Sequence, residues 1–178
     1  MNKVLVVVDM QKDFIDGSLA NPMAQEIVQG VANYVSTFEG LIVFTRDTHH
    51  EDYLKTREGI NLPISHCIEN TEGWNINKEI YEAAANNPRA KILTFNKPNF
   101  SAGVLLVVAI KNECEFPDEI QICGTCTDIC VVSNAITINT YFNTAKIVAL
   151  GSLCAGLTKE KHEAALEVMR SCQIEVVE

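Results

Sequence analysis

The chain has 178 residues, enough for one large buried core, and at 47% hydrophobic and 21% charged residues it is too apolar for a disordered segment. Fourteen basic against 23 acidic residues give a formal charge of −9 and a pI near 4.9. No basic run stands against that excess, which argues against nucleic acid or an anionic membrane surface as a partner.

Seven cysteines are an odd set, and without a secretory signal they predict a reduced, cytoplasmic protein whose thiols are mostly buried, not a disulfide framework. The first element is read from the opening MNKVLVVVDM. Asp9 cuts its apolar stretch short, the stretch is too brief to span a bilayer, and no small-residue cleavage site follows. Residues 3–8 are therefore expected to form a buried strand, not a signal peptide or membrane span. Residues 24–38 place Ile27, Val31, Tyr34 or Val35 and Phe38 at helical spacing. LIVFTR (41–46) is the second strand. The polar segment 47–74 is longer than a simple connection, and segments of that length usually carry function. A short helix is expected over 75–85, a third strand over 91–95 and an apolar helix over 101–112. EIQIC (119–123) is strand four, 128–142 a helix, KIVAL (146–150) strand five, 159–171 an amphipathic helix and QIEVV (173–177) strand six.

Strands alternating with helices, with no repeat and no internal linker, predict one α/β domain over 1–178. Its expected form has three layers, a six-stranded parallel sheet covered on both faces by right-handed crossovers. In such sheets ligands bind beyond the carboxyl ends of the strands. Strand one ends at Asp9, strand two at Arg46-Asp47-Thr48-His49, strand three at Asn96-Lys97, and strand four at Cys123, leading to Cys130. A carboxylate, an acid–histidine pair, a lysine and a cysteine thus gather on one rim.

Cys130 lies at the start of a helix for which Thr127 or Asp128 would serve as N-cap. Unpaired N–H groups in that first turn favour thiolate and can hold an oxyanion. Lys97 adds positive charge nearby, and Asp9 is placed to carry a proton. Asp47, His49, Glu58 and His66 offer the nitrogen and oxygen donors that suit a borderline divalent ion, although a solvated polar loop would read the same way. Cys123-Gly124-Thr125-Cys126 has redox-pair spacing, but Cys123 falls inside the apolar run of a strand, and no second CxxC completes a zinc site.

With these residues in view, the chain resembles the isochorismatase-like cysteine hydrolases, and within them the nicotinamidase-type amidases. The resemblance is carried by VVDMQKDF (7–14), TRDTHH (45–50), LPISHCIENTEGW (62–74), FNKPNFSA (95–102) and ICGTCTDICV (122–131), in that order over nearly the whole length. It implies a Rossmann-like isochorismatase fold with sheet order 3-2-1-4-5-6, commonly as a homo-oligomer. Asp9, Lys97 and Cys130 match the family's catalytic triad. The backbone N–H groups of Cys126 and Cys130 match its oxyanion hole, and the Thr125–Cys126 peptide is expected to be cis. Asp47, His49 and His66 match three ligands of a metal that holds the ring nitrogen of the substrate. Where many members carry a further histidine, DYLKTRE (52–58) has none, and Glu58 is the candidate fourth ligand. The expected ion is Zn²⁺, with Mn²⁺ or Fe²⁺ also compatible. Phe14, Trp74 and Phe100 are expected to wall the pocket.

The activity so implied is cysteine-dependent hydrolysis of nicotinamide, or a similar small planar amide, to the acid and ammonia through a thioester, as in NAD salvage. Two alternatives stand beside it. One is a carbamoyl, ureido or maleamate-like substrate, for which an arginine (Arg46, Arg57 or Arg89) would have to reach the pocket. The other is a thiol redox or metal-binding protein built on Cys123 and Cys126. His162, on a charged helix, is expected at the surface. The apolar stripe of 101–112 fits an oligomer face or burial under the sheet.

Overall fold

The computed structural model describes residues 2–178. Six parallel strands form one sheet in the order β3-β2-β1-β4-β5-β6. β1 (Lys3–Val8) is central, flanked by β2 (Gly40–Asp47) and β4 (Glu119–Thr125), with registers such as Val6↔Val43 and Val6↔Ile122. Val4 to Val8 are wholly buried, because helices cover both faces and a central parallel strand can then be apolar on each side. β3 (Ala90–Lys97) and β6 (Glu175–Val177) form the edges, and β5 (Lys146–Ala155) lies between β4 and β6.

A short helix α1 (Lys12–Ile15) follows β1. α2 (Pro22–Thr37) and α4 (Lys78–Ala85) pack together on one face, while α5 (Gly103–Glu113), α6 (Val132–Tyr141) and α7 (Lys159–Ser171) pack on the other. The starts of α2, α4 and α7 are chemically marked. Asn21, Asn77 and Thr158 accept hydrogen bonds from the N–H groups of Met23, Ile80 and Lys161, which satisfies donors that the helix leaves free. The segment 47–74 is not structureless, since it holds a 3₁₀ turn at Tyr53–Lys55 and the short helix α3 (Arg57–Asn61). Among the described residues no helix is long and apolar enough to cross a membrane.

Several boundaries differ from the expectation. The helix expected from 75 begins at Lys78, because Gln11 bridges Ile76 and holds that segment extended. β5 runs on to Ala155: its pairing with β4 shifts between Ile122 and Gly124 and then resumes at Gly124↔Cys154. The last strand is short because the chain leaves α7 through Gln173 in a left-handed conformation (φ 64°). The expected 128–142 helix opens with a widened turn, Thr127–Val131, before α6. Neither Thr127 nor Asp128 caps it; both side chains bond elsewhere in the fold.

The strand order reverses between β1 and β4. Asp9 leaves one strand and Cys126 the other at that point, so the crevice where ligands enter an open α/β sheet opens beside both.

Candidate active site

The turn bearing Cys130 is shaped by what precedes it. Gly124 has φ +118°, and a Cβ there would lie 2.1 Å from the Val8 carbonyl oxygen, so only glycine lets β4 pass this close to β1. The Thr125–Cys126 peptide is cis, as the resemblance implies. The N–H groups of Ile129 and Val131 both donate to Cys126 O at 3.0 Å. Widened helical turns of this kind occur often at functional sites. The Cys126 N–H itself meets no protein acceptor among the described residues. Asn134, fully buried on α6, donates to Cys130 O (2.7 Å) and Phe100 O (3.1 Å) and accepts from Ala102 N–H (2.9 Å). It locks the Cys130 turn to the loop after β3.

Lys97 is the hub of the charges. It is fully buried, with Nζ 2.7 Å from Asp9 Oδ2, 3.3 Å from Asp47 Oδ1, 3.6 Å from Cys130 Sγ and 3.1 Å from Asn99 O. Burial alone would lower the lysine pKa, but Asp9 and the neighbouring acidic groups outweigh it and hold the ammonium firmly protonated. Asp9, in a left-handed conformation (φ 48°), accepts from Thr45 Oγ1 at 2.6 Å through Oδ1. Its Oδ2 faces the ammonium without an aligned hydrogen bond, so a lone pair stays open for a proton. Burial raises the Asp9 pKa above the ordinary value, against the pull of Lys97. The expected lowering of the Cys130 pKa is reversed: burial, reinforced by Asp9, pushes the thiol well up, and Lys97 only opposes this. At neutral pH the resting sulfur is therefore a thiol, which needs a base to become a nucleophile.

Asp47, His49, Glu58 and His66 converge so that one ligand atom from each lies within 4.8 Å of the others. Asp47 Oδ2 is 3.0 Å from His49 Nε2 and 3.5 Å from His66 Nε2, and Glu58 Oε1 is 3.7 and 3.9 Å from the same nitrogens. His66 Nδ1 donates to Ile64 O at 2.8 Å, which leaves Nε2 aimed into the cluster as a metal-binding lone pair. Burial works against a charged His66, but Asp47 and Glu58 prevail and hold its pKa above the ordinary value. Two carboxylates and two imidazoles fit a borderline divalent ion.

A cavity of about 460 Å³ joins the two groups. Cys126, Cys130, Asp47, Glu58 and His66 line it, and Phe14, Phe100, Ile129, Leu19, Leu62 and Leu157 supply most of its remaining walls. Two of the three expected aromatic walls are therefore in place. Trp74 is not: its ring lies under the Arg46 guanidinium (3.6 Å) and its Nε1 donates to Thr48 Oγ1, away from the cavity. That stack also accounts for Arg46; Arg57 and Arg89 lie exposed on the surface. Cys123 sits in the core, apart from the cavity that Cys126 lines. His162 is half-buried and bonded to Thr127, not at the free surface.

The sequence reading missed the supports. Gln11 grips the Asp47 backbone from both sides, accepting from its N–H (2.7 Å) and donating to its O (2.9 Å). Asp13 accepts from the Cys67 N–H at 2.7 Å and so holds the residue next to His66. Both lie inside VVDMQKDF, so the signal was present. Asn134 gave none.

A family model for the isochorismatase domain matches residues 3–178. The chain is similar to the crystal structure of nicotinamidase/pyrazinamidase PncA from Bacillus subtilis, at 26% identity and a TM-score of 0.84 over all of both chains. It is also similar to the pyrazinamidase of Pyrococcus horikoshii in complex with zinc, at 29% identity and a TM-score of 0.79 over 100% of this chain and 99% of that one. A nicotinamidase of Saccharomyces cerevisiae is 31% identical over 110 residues, 45% of this chain and 50% of that protein. With the sheet order, the rim residues and the whole-length match in agreement, the chain belongs to the isochorismatase family and is a hydrolase of the nicotinamidase type.

Proposed function

We propose that the protein hydrolyses an uncharged heteroaromatic amide, nicotinamide or a close analogue, to its carboxylic acid and ammonia through a thioester on Cys130. One observation carries this reading. One mostly apolar cavity is lined by Cys130 and by Asp47, Glu58 and His66 of the four-residue metal-ligand group, and no lysine or arginine side chain is among its lining residues. A carboxylate-bearing amide would find no lysine or arginine there to pair with, and an ion engaged by a ring nitrogen would not serve it, which favours nicotinamide over maleamate-like or ureido substrates.

Asp9 takes the Cys130 thiol proton as the sulfur bonds to the amide carbon. The developing oxyanion accepts hydrogen bonds from the Cys126 and Cys130 N–H groups. Asp9 then returns the proton to the leaving nitrogen, the C–N bond breaks and ammonia departs. Water attacks the thioester with Asp9 again as base, the acid is released and the sulfur regains its proton. Lys97 stays charged throughout; it orients Asp9 and offsets negative charge on the sulfur. Asp47, His49, Glu58 and His66 would hold a divalent ion, Zn²⁺ first, which would bind the ring nitrogen and so select substrates that carry one. Phe14, Phe100 and the leucines confine the planar ring. The proposal includes self-association, supported by Val104, Leu105 and Val108, which α5 leaves exposed.

The test is ammonia release from zinc-loaded protein over nicotinamide, pyrazinamide, benzamide, maleamate and ureidoacrylate, repeated with Cys130→Ala and after chelation. Nicotinamide and pyrazinamide are expected to react, with Cys130→Ala reducing turnover to background and chelation reversibly abolishing it. Preference for maleamate or ureidoacrylate would overturn the substrate assignment.

A further inference from the structure

The Cys130 turn is held on its outer side by the end of β5 and by α7. Thr125 Oγ1 donates to Ala155 O at 3.1 Å, and Leu157 N–H donates to Asp128 Oδ1 at 2.9 Å. Thr127 Oγ1 and His162 Nδ1 share a hydrogen bond of 2.9 Å. Thr127 is wholly buried, and among the described residues His162 is its one side-chain partner. Gly156 leaves no slack between these parts. A Cβ there would stand 2.8 Å from His162 Cβ and 3.0 Å from Asp128 Oδ1. His162 does not line the cavity, yet its partner is bonded in the chain to Cys126, whose N–H meets no protein acceptor.

We propose that His162 is a positioning residue for the oxyanion hole, acting through Thr127; this rests on the cysteine-hydrolase reading above. Pinning Oγ1 fixes the Thr127 side chain and, through it, the backbone that aims the Cys126 N–H. Without the imidazole a buried hydroxyl loses its partner and turns to a nearby backbone carbonyl, as threonine does when it competes for local acceptors. The Cys126 N–H moves with it. Preorganised donors act through placement, so a shift of a fraction of an ångström is felt in the transition state more than in substrate binding. The sulfur is held separately, by Asn134 on the Cys130 carbonyl and by Lys97.

The experiment compares wild type, His162→Ala, His162→Asn and Thr127→Val in the zinc-loaded protein. Asparagine can place a polar atom near the position of Nδ1. Three readouts are taken: kcat and KM for nicotinamide, affinity for pyridine-3-carbaldehyde, and the rate of Cys130 alkylation by iodoacetamide, followed by mass. The aldehyde adds the Cys130 S–H across its C=O, so a new C–S bond leaves an oxygen in the oxyanion hole. Alkylation makes no such demand. For His162→Ala, kcat is expected to fall about tenfold, short of the roughly hundredfold loss when an oxyanion donor is removed outright. KM stays within twofold, aldehyde affinity falls in step with kcat, and alkylation is unchanged. Thr127→Val behaves the same way, and His162→Asn restores most of the loss. Unchanged kcat and aldehyde affinity in His162→Ala would overturn the inference, as would equal losses in all three readouts. A wild type that binds the aldehyde through Cys130 but hydrolyses no amide sinks the substrate reading alone, since aldehyde affinity still tests His162. A wild type that does neither sinks both.

Discussion

Lys97 shows how one residue can set the chemistry and the stability of a site together. Its ammonium serves two buried carboxylates and a thiol from behind the cavity wall, since neither Lys97 nor any other lysine or arginine is among the lining residues. Lys97→Met keeps the length of the side chain but leaves Asp9 and Asp47 without their counter-ion. Breaking a buried pair in this way costs about 3–5 kcal/mol, and turnover is lost with it. The sign of the pH dependence follows. With the lysine gone, burial and the Asp47 charge act on Asp9 with only the Thr45 hydrogen bond against them, and its folded pKa, already raised, climbs further. A carboxyl whose folded pKa lies above its unfolded one contributes stability at low pH and loses it as pH rises. The gap between variant and wild type in the metal-free protein is therefore expected to be widest at neutral pH and to narrow toward pH 5. Urea unfolding at the two pH values measures it, and a gap independent of pH would contradict the argument. The sequence announced Lys97 by its place after an apolar strand, but not that it would be fully buried. Asp9 and Asp47 at two other strand ends and Cys130 on the turn after β4 decide that, and no single-strand pattern records it.

At the scale of elements, the decisive piece is the passage from β4 into α6. Gly124→Ala would put a methyl against the Val8 carbonyl and force a side-chain-bearing residue into φ +118°. The two penalties together are expected to cost about 3 kcal/mol or more, with activity falling further than stability because Cys126 and Cys130 follow directly. Thermal melting and kcat on the same preparation check this; a variant with wild-type melting would show that β1 and β4 can separate locally. The regular parts of this region were legible: EIQIC reads as a strand and 128–142 as a helix, of which α6 takes Val132–Tyr141. The widened turn between them was not. Thr127 and Asp128 have the composition of a cap, yet His162 and Leu157 claim their side chains, and long-range bonds of that kind override local preference. The same cause explains His162, whose charged helix suggested a surface position.

For the molecule as a whole, the alternation of strands and helices was enough to fix the class and the rim, and the quoted motifs carried the strand order. The rim then gathered residues from four strand ends and one long loop. What stayed illegible was which side chains in that loop point inward. Trp74 and His66 sit in one motif, and one stacks on Arg46 while the other enters the cluster. A bound ion would tie β2 to the segment around α3 and to His66, so it acts as a cross-link between sheet and loop. At a hundredfold excess over its Kd such a ligand adds about 2.7 kcal/mol, or about 5–10 °C of melting temperature for a chain of this size. Chelation is expected to remove that increment and zinc to restore it, as read by scanning calorimetry; identical melting with and without chelator would mean the four residues hold no ion. Asp47 gives this cross-link a wider meaning. One of its oxygens faces the imidazoles and the other faces Lys97, so a single carboxylate is party to both halves of the site. Whatever withdraws electron density from Asp47 loosens its hold on the ammonium and leaves more of that charge for the sulfur. By reciprocity, if Cys130 is acylated as proposed, acylation would change the grip on a bound ion by the same factor. On the proposed reading the two halves of the site would form one thermodynamic cycle, and affinity for the ion would become a property of the catalytic stage reached.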